Sequence, residues 1–250
     1  MKRVLITGAC SGMGLSATKL FLKKKWSVLM VDINESQGNQ LQKEFACDGG
    51  QVWFKKCNLT SDADVAALYQ YAKKELGGID SVVNNAGVFV PGTLHETSIE
   101  DWDKIFNVDV KSILLTSKYF IPDMIAQKQG TIVNTASVSG LQGDYNMAAY
   151  NAAKGAVVNL CRSMALDYGQ YNIRVNNVCP SACATPMFLA NPQEKINQFN
   201  EANPLKRICT PEEVAQAIYF LASDHSASCN GVNLPVSGGI EIYSGQPIQI

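Results

Sequence analysis

Ser137, Tyr150 and Lys154 stand thirteen and four residues apart, and those residue types at that spacing suit proton transfer. Residues four apart share one helical face. Tyr150 and Lys154 would therefore meet on the alanine-rich stretch AAYNAAKGAVVNL, with Ser137 delivered from the end of the strand-like IVNTAS. A free phenol gives up its proton only near pH ~10 and is a poor acid or base at neutrality. An ammonium about 4 Å away, at an effective dielectric of about 20, stabilises the phenolate by roughly 4 kcal/mol, enough to make the hydroxyl a usable general acid or base. A serine hydroxyl beside it would hydrogen-bond the oxygen on which charge develops. The chemistry served is reduction of a carbonyl or oxidation of an alcohol. Tyr69 and Lys73 repeat the four-residue spacing, but DADVAALYQYAKKELGG reads as an amphipathic helix with solvated lysines, and no serine-bearing strand precedes it.

Such a trio needs a hydride donor, and TGACSGMG (7–14) offers a place for one. Gly8, Gly12 and Gly14 let the chain turn tightly between a strand and a helix and bring a pyrophosphate against the helix N-terminus, with Ser11 and Met13 beside them. The spacing is G-x-x-x-G-x-G rather than G-x-G-x-x-G, so its place in the chain carries the assignment. Asp32 closes the second strand-like run, where a carboxylate accepts hydrogen bonds from the adenosine ribose hydroxyls and repels a 2'-phosphate. Neither Ser11 nor Ile33 brings a cation to such a phosphate, so the expected cofactor is NAD(H) rather than NADP(H). The alternative role for Asp32 is as N-cap of a helix starting near residue 35.

These groups require a scaffold, and the chain alternates strand and helix patterns throughout. RVLIT (3–7) is a continuous apolar run, as in a strand buried on both faces of a parallel sheet, and a helical pattern follows it over 12–25. SVLMVD (27–32), QVWFKKCNL (51–59), DSVVNNAG (80–87), TIVNTAS (131–137), IRVNNVCP (173–180) and GVNLPVSGG (231–239) read as six further strands. No linker or repeat interrupts them, so residues 1–250 are expected to form one α/β domain. Residues 181–205 carry three prolines and mixed polarity. They are expected to form an irregular insertion at the carboxyl ends of the strands, a lid over the site.

Composition excludes other classes. Lys and Arg number 21 against 22 Asp and Glu, a net charge of -1, and the lysines are scattered, so no basic field for nucleic acid exists. Met1-Lys2-Arg3 resembles the start of a signal peptide, yet the apolar run stops at Thr7-Gly8. No stretch is long enough to span a bilayer. Eight cysteines without close regular pairing read as small buried hydrophobes of a reducing cytoplasm. Cys179 and Cys183, with only His95 and His225 elsewhere, lack the paired spacing of structural zinc, and no metal is expected.

Together and in this order, the motifs resemble the short-chain dehydrogenase/reductase family over essentially the whole chain. TGACSGMG resembles the family's cofactor loop, and NNAG (84–87), with Asn85, Ala86 and Gly87, resembles its segment on the adenosine side. The resemblance implies a Rossmann-type, doubly wound, three-layer fold: a seven-stranded parallel sheet in the order 3-2-1-4-5-6-7, three helices on each face, assembled as a homotetramer. It implies a tetrad of Asn107 (in FNVDVKS), Ser137, Tyr150 and Lys154. Tyr150 would protonate the carbonyl oxygen, Lys154 would also hold the nicotinamide ribose, and Asn107 would position a water linking Lys154 to solvent; a helix-bending role is the alternative for Asn107. Further cofactor contacts are implied at Leu59, Pro180, Thr185 and Met187. Three positions depart from the family. Asn58 replaces an Asp and would accept from the adenine amine through its carbonyl oxygen; Ser181 replaces the Gly after Pro180; Ser237 replaces the Asp of a late D-G-G.

Within the family, VNTASVSGL, AAKGAVVNL, VCPS and the tail GGIEIYSGQPIQI are similar to the branch that interconverts 2,3-butanediol, acetoin and diacetyl. The expected substrate pocket comprises Ser137, Val138, Ser139, Leu141 and Gln142 from one segment. Asn146, Met147, Tyr150, Met187 and Phe188 complete it. Gln142 or Asn146 would bind the second oxygen of a vicinal ketol. Gln246 and Pro247 are expected to enter a neighbouring subunit's site, against the alternative of a frayed tail. Two other readings remain open: a reductase of a sugar, polyol, steroid or 3-oxoacyl thioester, and a non-catalytic NAD(H)-responsive binding protein.

Overall fold

The computed structural model describes residues 1–242. In chain order the main elements are β1 (Arg3–Thr7), α1 (Gly12–Lys23), β2 (Ser27–Asp32), α2 (Glu35–Cys47), β3 (Val52–Lys56), α3 (Asp62–Leu76), β4 (Ser81–Asn84) and α4 (Ile99–Phe106). They continue through α5 (Ser112–Gln127), β5 (Gly130–Thr135), α6 (Ala148–Gly169), β6 (Ile173–Pro180), α7 (Pro186–Leu189), α8 (Gln193–Ala202), α9 (Pro211–Ala222) and β7 (Asn233–Val236). The strands form one parallel sheet, β3-β2-β1-β4-β5-β6-β7, as expected. Among the described residues no helix is long and apolar enough to cross a membrane.

Alternation along the buried strands divides the core in two. Leu5, Leu29, Val82, Ile132 and Val175 pack with residues of α3, α5 and α6, while Val4, Ile6, Met30, Val83 and Val178 pack with α1, α2 and α9. Side chains two apart share a face, so each strand feeds both cores, and a continuous apolar run is the result. Several strands are shorter than their sequence patterns. β3 stops at Lys56 because Cys57 makes the last contact to β2, through the Asp32 carbonyl, and Asn58 then folds onto Thr60. β4 and β5 likewise stop at Asn84 and Thr135; their expected final residues become the loops that line the site.

One polar row crosses this apolar interior. Asn84, Asn134, Asn177 and Asn233 are register partners on four adjacent strands, and each amide donates to the next: Asn84 to Asn134 (2.9 Å), Asn134 to Asn177 (3.0 Å) and Asn177 to Asn233 (2.6 Å). Thr116 of α5 donates to the carbonyl oxygen of Asn84 at the start of the row. Buried amides satisfied in this way cost little, whereas a one-residue slip would move them all to the opposite face.

Between α4 and α5 the helix continues through a π-helical turn, Asn107–Lys111. Ser112 N–H reaches back five residues to the Asn107 carbonyl, and the extra residue per turn rotates the side chains beyond it about the helix axis. The lid segment is more regular than its composition predicts. Thr185 caps α7 through its hydroxyl with Pro186 at the first helical position, and α8 follows.

Candidate active site

The carboxyl ends of β1, β4, β5 and β6 open onto one cavity of about 210 Å³. Its floor is the turn from β1 to α1, where Gly8, Ser11, Gly12 and Met13 line the cavity. Gly14 lies behind that wall: a Cβ there would sit 2.1 Å from the Gly8 carbonyl oxygen, so no side chain fits where the helix meets the loop. Ser11 precedes the helix, its hydroxyl bonds no backbone N–H, and no acidic residue lies in the first turn. The free N–H groups at that end are a ready anion site.

Asp32 faces the same loop. Its two oxygens accept from the backbone N–H of Cys10 and of Asn34, each at 3.0 Å, so the carboxylate is held beside the turn. The N-cap of α2 is Asn34, which accepts from Gln37 N–H, and the capping alternative for Asp32 is thereby set aside. Lys56, its register partner on β3, is paired with Glu35. Burial, then the charge of Asp32, pushes the Cys10 thiol up to about 12. Burial does the same to Cys57, Cys161, Cys179 and Cys183, which therefore stay neutral thiols.

Ser137, Tyr150 and Lys154 line the cavity together. Tyr150 and Lys154 lie in the first turns of α6, one turn apart. Ser137 is brought to them by the short turn after β5, and Gly140 makes that approach possible: a Cβ on it would lie 2.5 Å from the Lys154 carbonyl oxygen. Ser137 Oγ accepts from Ser139 N–H at 3.1 Å, which aims the hydroxyl. The Phe89 ring meets Tyr150 edge to face, 5.4 Å between centroids. Tyr69 and Lys73 of α3, by contrast, both bond Asp123 of α5, away from the cavity.

The fourth expected member stands at the head of the π-turn. Asn107 does not line the cavity; it opens the π-turn, so the bend it was offered as an alternative to make is made through its backbone. Asp109, two residues on, is the group that reaches the site. Its side chain is fully buried, Oδ2 lies 3.0 Å from Lys154 Nζ, and Oδ1 accepts from Val88 N–H at 2.8 Å. Lys154 also donates to the Thr135 carbonyl at 2.9 Å, and its Nζ lies 5.6 Å from the Tyr150 ring centroid. Burial alone would lower the Lys154 ammonium, but the Asp109 carboxylate, with Tyr150 behind it, holds it above the ordinary lysine value.

Other expected contacts sort by position. Asn85, Ala86, Gly87, Pro180, Thr185 and Met187 line the cavity. Ile33 is exposed beyond Asp32, and the Leu59 side chain is spent in the core. The Asn58 carbonyl oxygen, expected to meet adenine, accepts from Thr60 instead. Ser181 lines the cavity without a positive φ, and its hydroxyl donates to the Ser237 carbonyl at 3.2 Å. Most of the other residues expected around the substrate are not in the lining of this cavity. Val138, Leu141 and Met147 are outside the lining, and Ser139 turns its hydroxyl to Asp144 at 2.5 Å. Gln142 reaches toward Glu241, Asn146 is exposed in a left-handed turn, and the Phe188 ring packs on Phe199 within the lid. Val88, Phe89 and Pro186, not anticipated from the sequence, do line it. Gln246 and Pro247 lie outside the described residues. A larger hollow of about 520 Å³ at the opposite end of the strands, among Met1, Lys23, Trp26, Asp48 and Gln51, gathers no comparable set of groups.

The chain is similar to known proteins over nearly its whole length. A family described as enoyl-(acyl carrier protein) reductase matches residues 8–241. Meso-2,3-butanediol dehydrogenase of Serratia marcescens is 43% identical over 246 residues, 98% of this chain and 97% of that protein. The 3-oxoacyl-[acyl-carrier-protein] reductase of Thermotoga maritima is 36% identical over 241 residues, 96% and 98% of the two chains. Among solved structures, an actinorhodin polyketide ketoreductase with NADPH superposes with a TM-score of 0.93 at 27% identity, covering 97% of this chain and 98% of that one. With the matched family spanning nearly the whole sheet and the Tyr150–Lys154 pair in its cleft, the chain belongs to the short-chain dehydrogenase/reductase family of oxidoreductases.

Proposed function

We propose that the protein interconverts a small secondary alcohol and its ketone with NAD(H), and that the pair is 2,3-butanediol and acetoin, with diacetyl as a further substrate. The observation that carries the reaction is the convergence of Ser137, Tyr150 and Lys154 on the cavity that also opens to the Gly8–Gly14 loop. The cofactor fits the residues present: the Cβ-free cradle at Gly14, the uncapped amides of α1 for the pyrophosphate, and Asp32 for the adenosine ribose. When bound it supplies the hydride. The chain does the rest. Tyr150 moves the proton to or from the substrate oxygen, Ser137 hydrogen-bonds that oxygen as charge grows, and Lys154 holds the ribose and favours the phenolate. Phe89 and Met187 close an apolar wall that suits short alkyl groups. NAD is preferred to NADP because a 2'-phosphate would meet the Asp32 carboxylate.

The choice of butanediol rests on the 43% identity to the Serratia marcescens enzyme, together with the tail and loop phrases similar to that branch. The Thermotoga maritima relative supports a second reading, reduction of a 3-oxoacyl thioester. Oxidation of separate meso, (R,R) and (S,S) diols with NAD, beside reduction of acetoin, diacetyl and a 3-oxoacyl thioester with NADH, separates the two. Turnover of one diol isomer and of acetoin is expected; thioester turnover alone would overturn the substrate assignment. A cytoplasmic homotetramer belongs to the same reading, and light scattering in solution tests the assembly.

A further inference from the structure

We propose that Asp109 is a positioning residue for this chemistry: its carboxylate fixes both the direction and the effective charge of the Lys154 ammonium in the site. The inference rests on the reductase reading above and names a group that this reading did not require. An ammonium has three N–H donors. One is given to the Thr135 carbonyl, and Asp109 Oδ2 stands 3.0 Å from Nζ as an ion pair with no other partner for that oxygen. The carboxylate itself cannot swing away, because its other oxygen accepts from Val88 N–H and its chain enters from the π-turn that replaces regular helix at this point.

A neutral amide in this place would orient Lys154 but leave its charge whole. A carboxylate shares that charge, so the Tyr150 phenolate is stabilised less than by a free ammonium, and alcohol oxidation needs a more alkaline medium. The groups facing Lys154 are few. Asp109 comes from the π-turn, Tyr150 from its own helix and Cys179 from β6; Cys179, its thiol pushed up to about 12, contributes no charge near neutrality.

Asp109→Asn keeps an acceptor for Val88 N–H and removes the charge. In the variant, the acid-side midpoint of kcat/KM for alcohol oxidation is expected to fall by about one on the pH scale, the scale of an opposite charge at this range. A second readout uses the cofactor-free protein and no turnover. In the wild type Lys154 is held above its unfolded value, so its stabilisation is full below that value and is lost only as pH rises through the higher folded one. In the variant the largest group opposing burial is gone, so Lys154 is expected to fall toward and below its unfolded value with Tyr150 alone beside it. The gap in Tm between wild type and variant should therefore narrow from pH 7 to pH ~10. A parallel activity profile with a lower ceiling, and a gap in Tm that stays constant, would overturn the proposal. Should Asp109→Asn not fold, Asp109→Thr, which also offers an oxygen to Val88, carries the same two measurements. A wild type that neither binds NADH nor turns over any ketone would instead sink the reductase reading, and the Tm comparison would still decide the ion pair.

Discussion

In the proposed reaction turnover depends on Tyr150, and its neighbours determine what its loss would do. Its ring packs on Phe89, so Tyr150→Phe preserves the wall and removes the proton carrier. Turnover should fall by about a thousandfold or more, while NADH binding, read by fluorescence titration, stays near wild type. Asp32→Ser removes the carboxylate that faces the cofactor loop; the preference for NAD over NADP, measured as a ratio of kcat/KM, should drop by about tenfold, or ~1.4 kcal/mol. Both residues were legible in the sequence because their geometry is local: a four-residue step on a helix, and the last position of a strand. Asp109 was not. Helical reckoning assumes 3.6 residues per turn, and the π-turn inserts one more, which turns Asp109 to the lysine. No periodicity in FNVDVKS announces that insertion. The substrate wall was illegible for another reason: Phe188 satisfies its ring against Phe199 inside the lid, a choice between two apolar neighbours that composition cannot make.

Among the elements, the turn into α1 and the turn after β5 do the positioning, and each depends on a glycine against backbone. Gly14→Ala would place a methyl 2.1 Å from the Gly8 carbonyl oxygen. Backbone cannot yield as a side chain does, so the expected cost is about 1–3 kcal/mol, a fall in Tm of roughly 2–10 °C for a chain of this size, with loss of NADH binding measurable by titration. The same argument applies to Gly140 against Lys154, which reads in the sequence only as a glycine near Ser137. The strands were legible as continuous apolar runs, and their ends were not, since they depend on where a neighbouring strand stops. The lid helices escaped notice because α7 has four residues and α8 buries only Ile196, too little apolar pattern for a helical period to show.

At the scale of the whole molecule, the order of the strands places every site group at one edge, and clamps at the other edge hold that order. Arg3 at the start of β1 grips Asp80 just before β4, with side-chain contacts of 2.5 and 2.9 Å and its own N–H at 2.8 Å. Burial alone would raise the Asp80 carboxyl, but these hydrogen bonds and the guanidinium charge hold it below the usual value. Its stabilisation is therefore present above pH ~4 and lost as pH falls through the lower folded value. Asp80→Asn should cost about 2 kcal/mol at neutral pH. The difference from wild type should close near pH ~2, as read by urea denaturation at each pH. The sheet order and a single unit were readable from seven alternations of pattern together with family resemblance, because buried parallel strands tolerate few other arrangements.

The asparagine row has a consequence for how the sheet's far edge comes apart. β7 has four residues and little buried surface, and such a strand would ordinarily fray on its own. Peeling it away would take the shorter of the two contacts made by the Asn177 amide and leave it only the Val157 carbonyl in the interior, and that loss would be felt at Asn134 next in line. Hydrogen exchange of the β7 backbone should then be nearly as slow as that of the central strands, and Asn177→Leu should let the edge exchange freely while the centre stays closed.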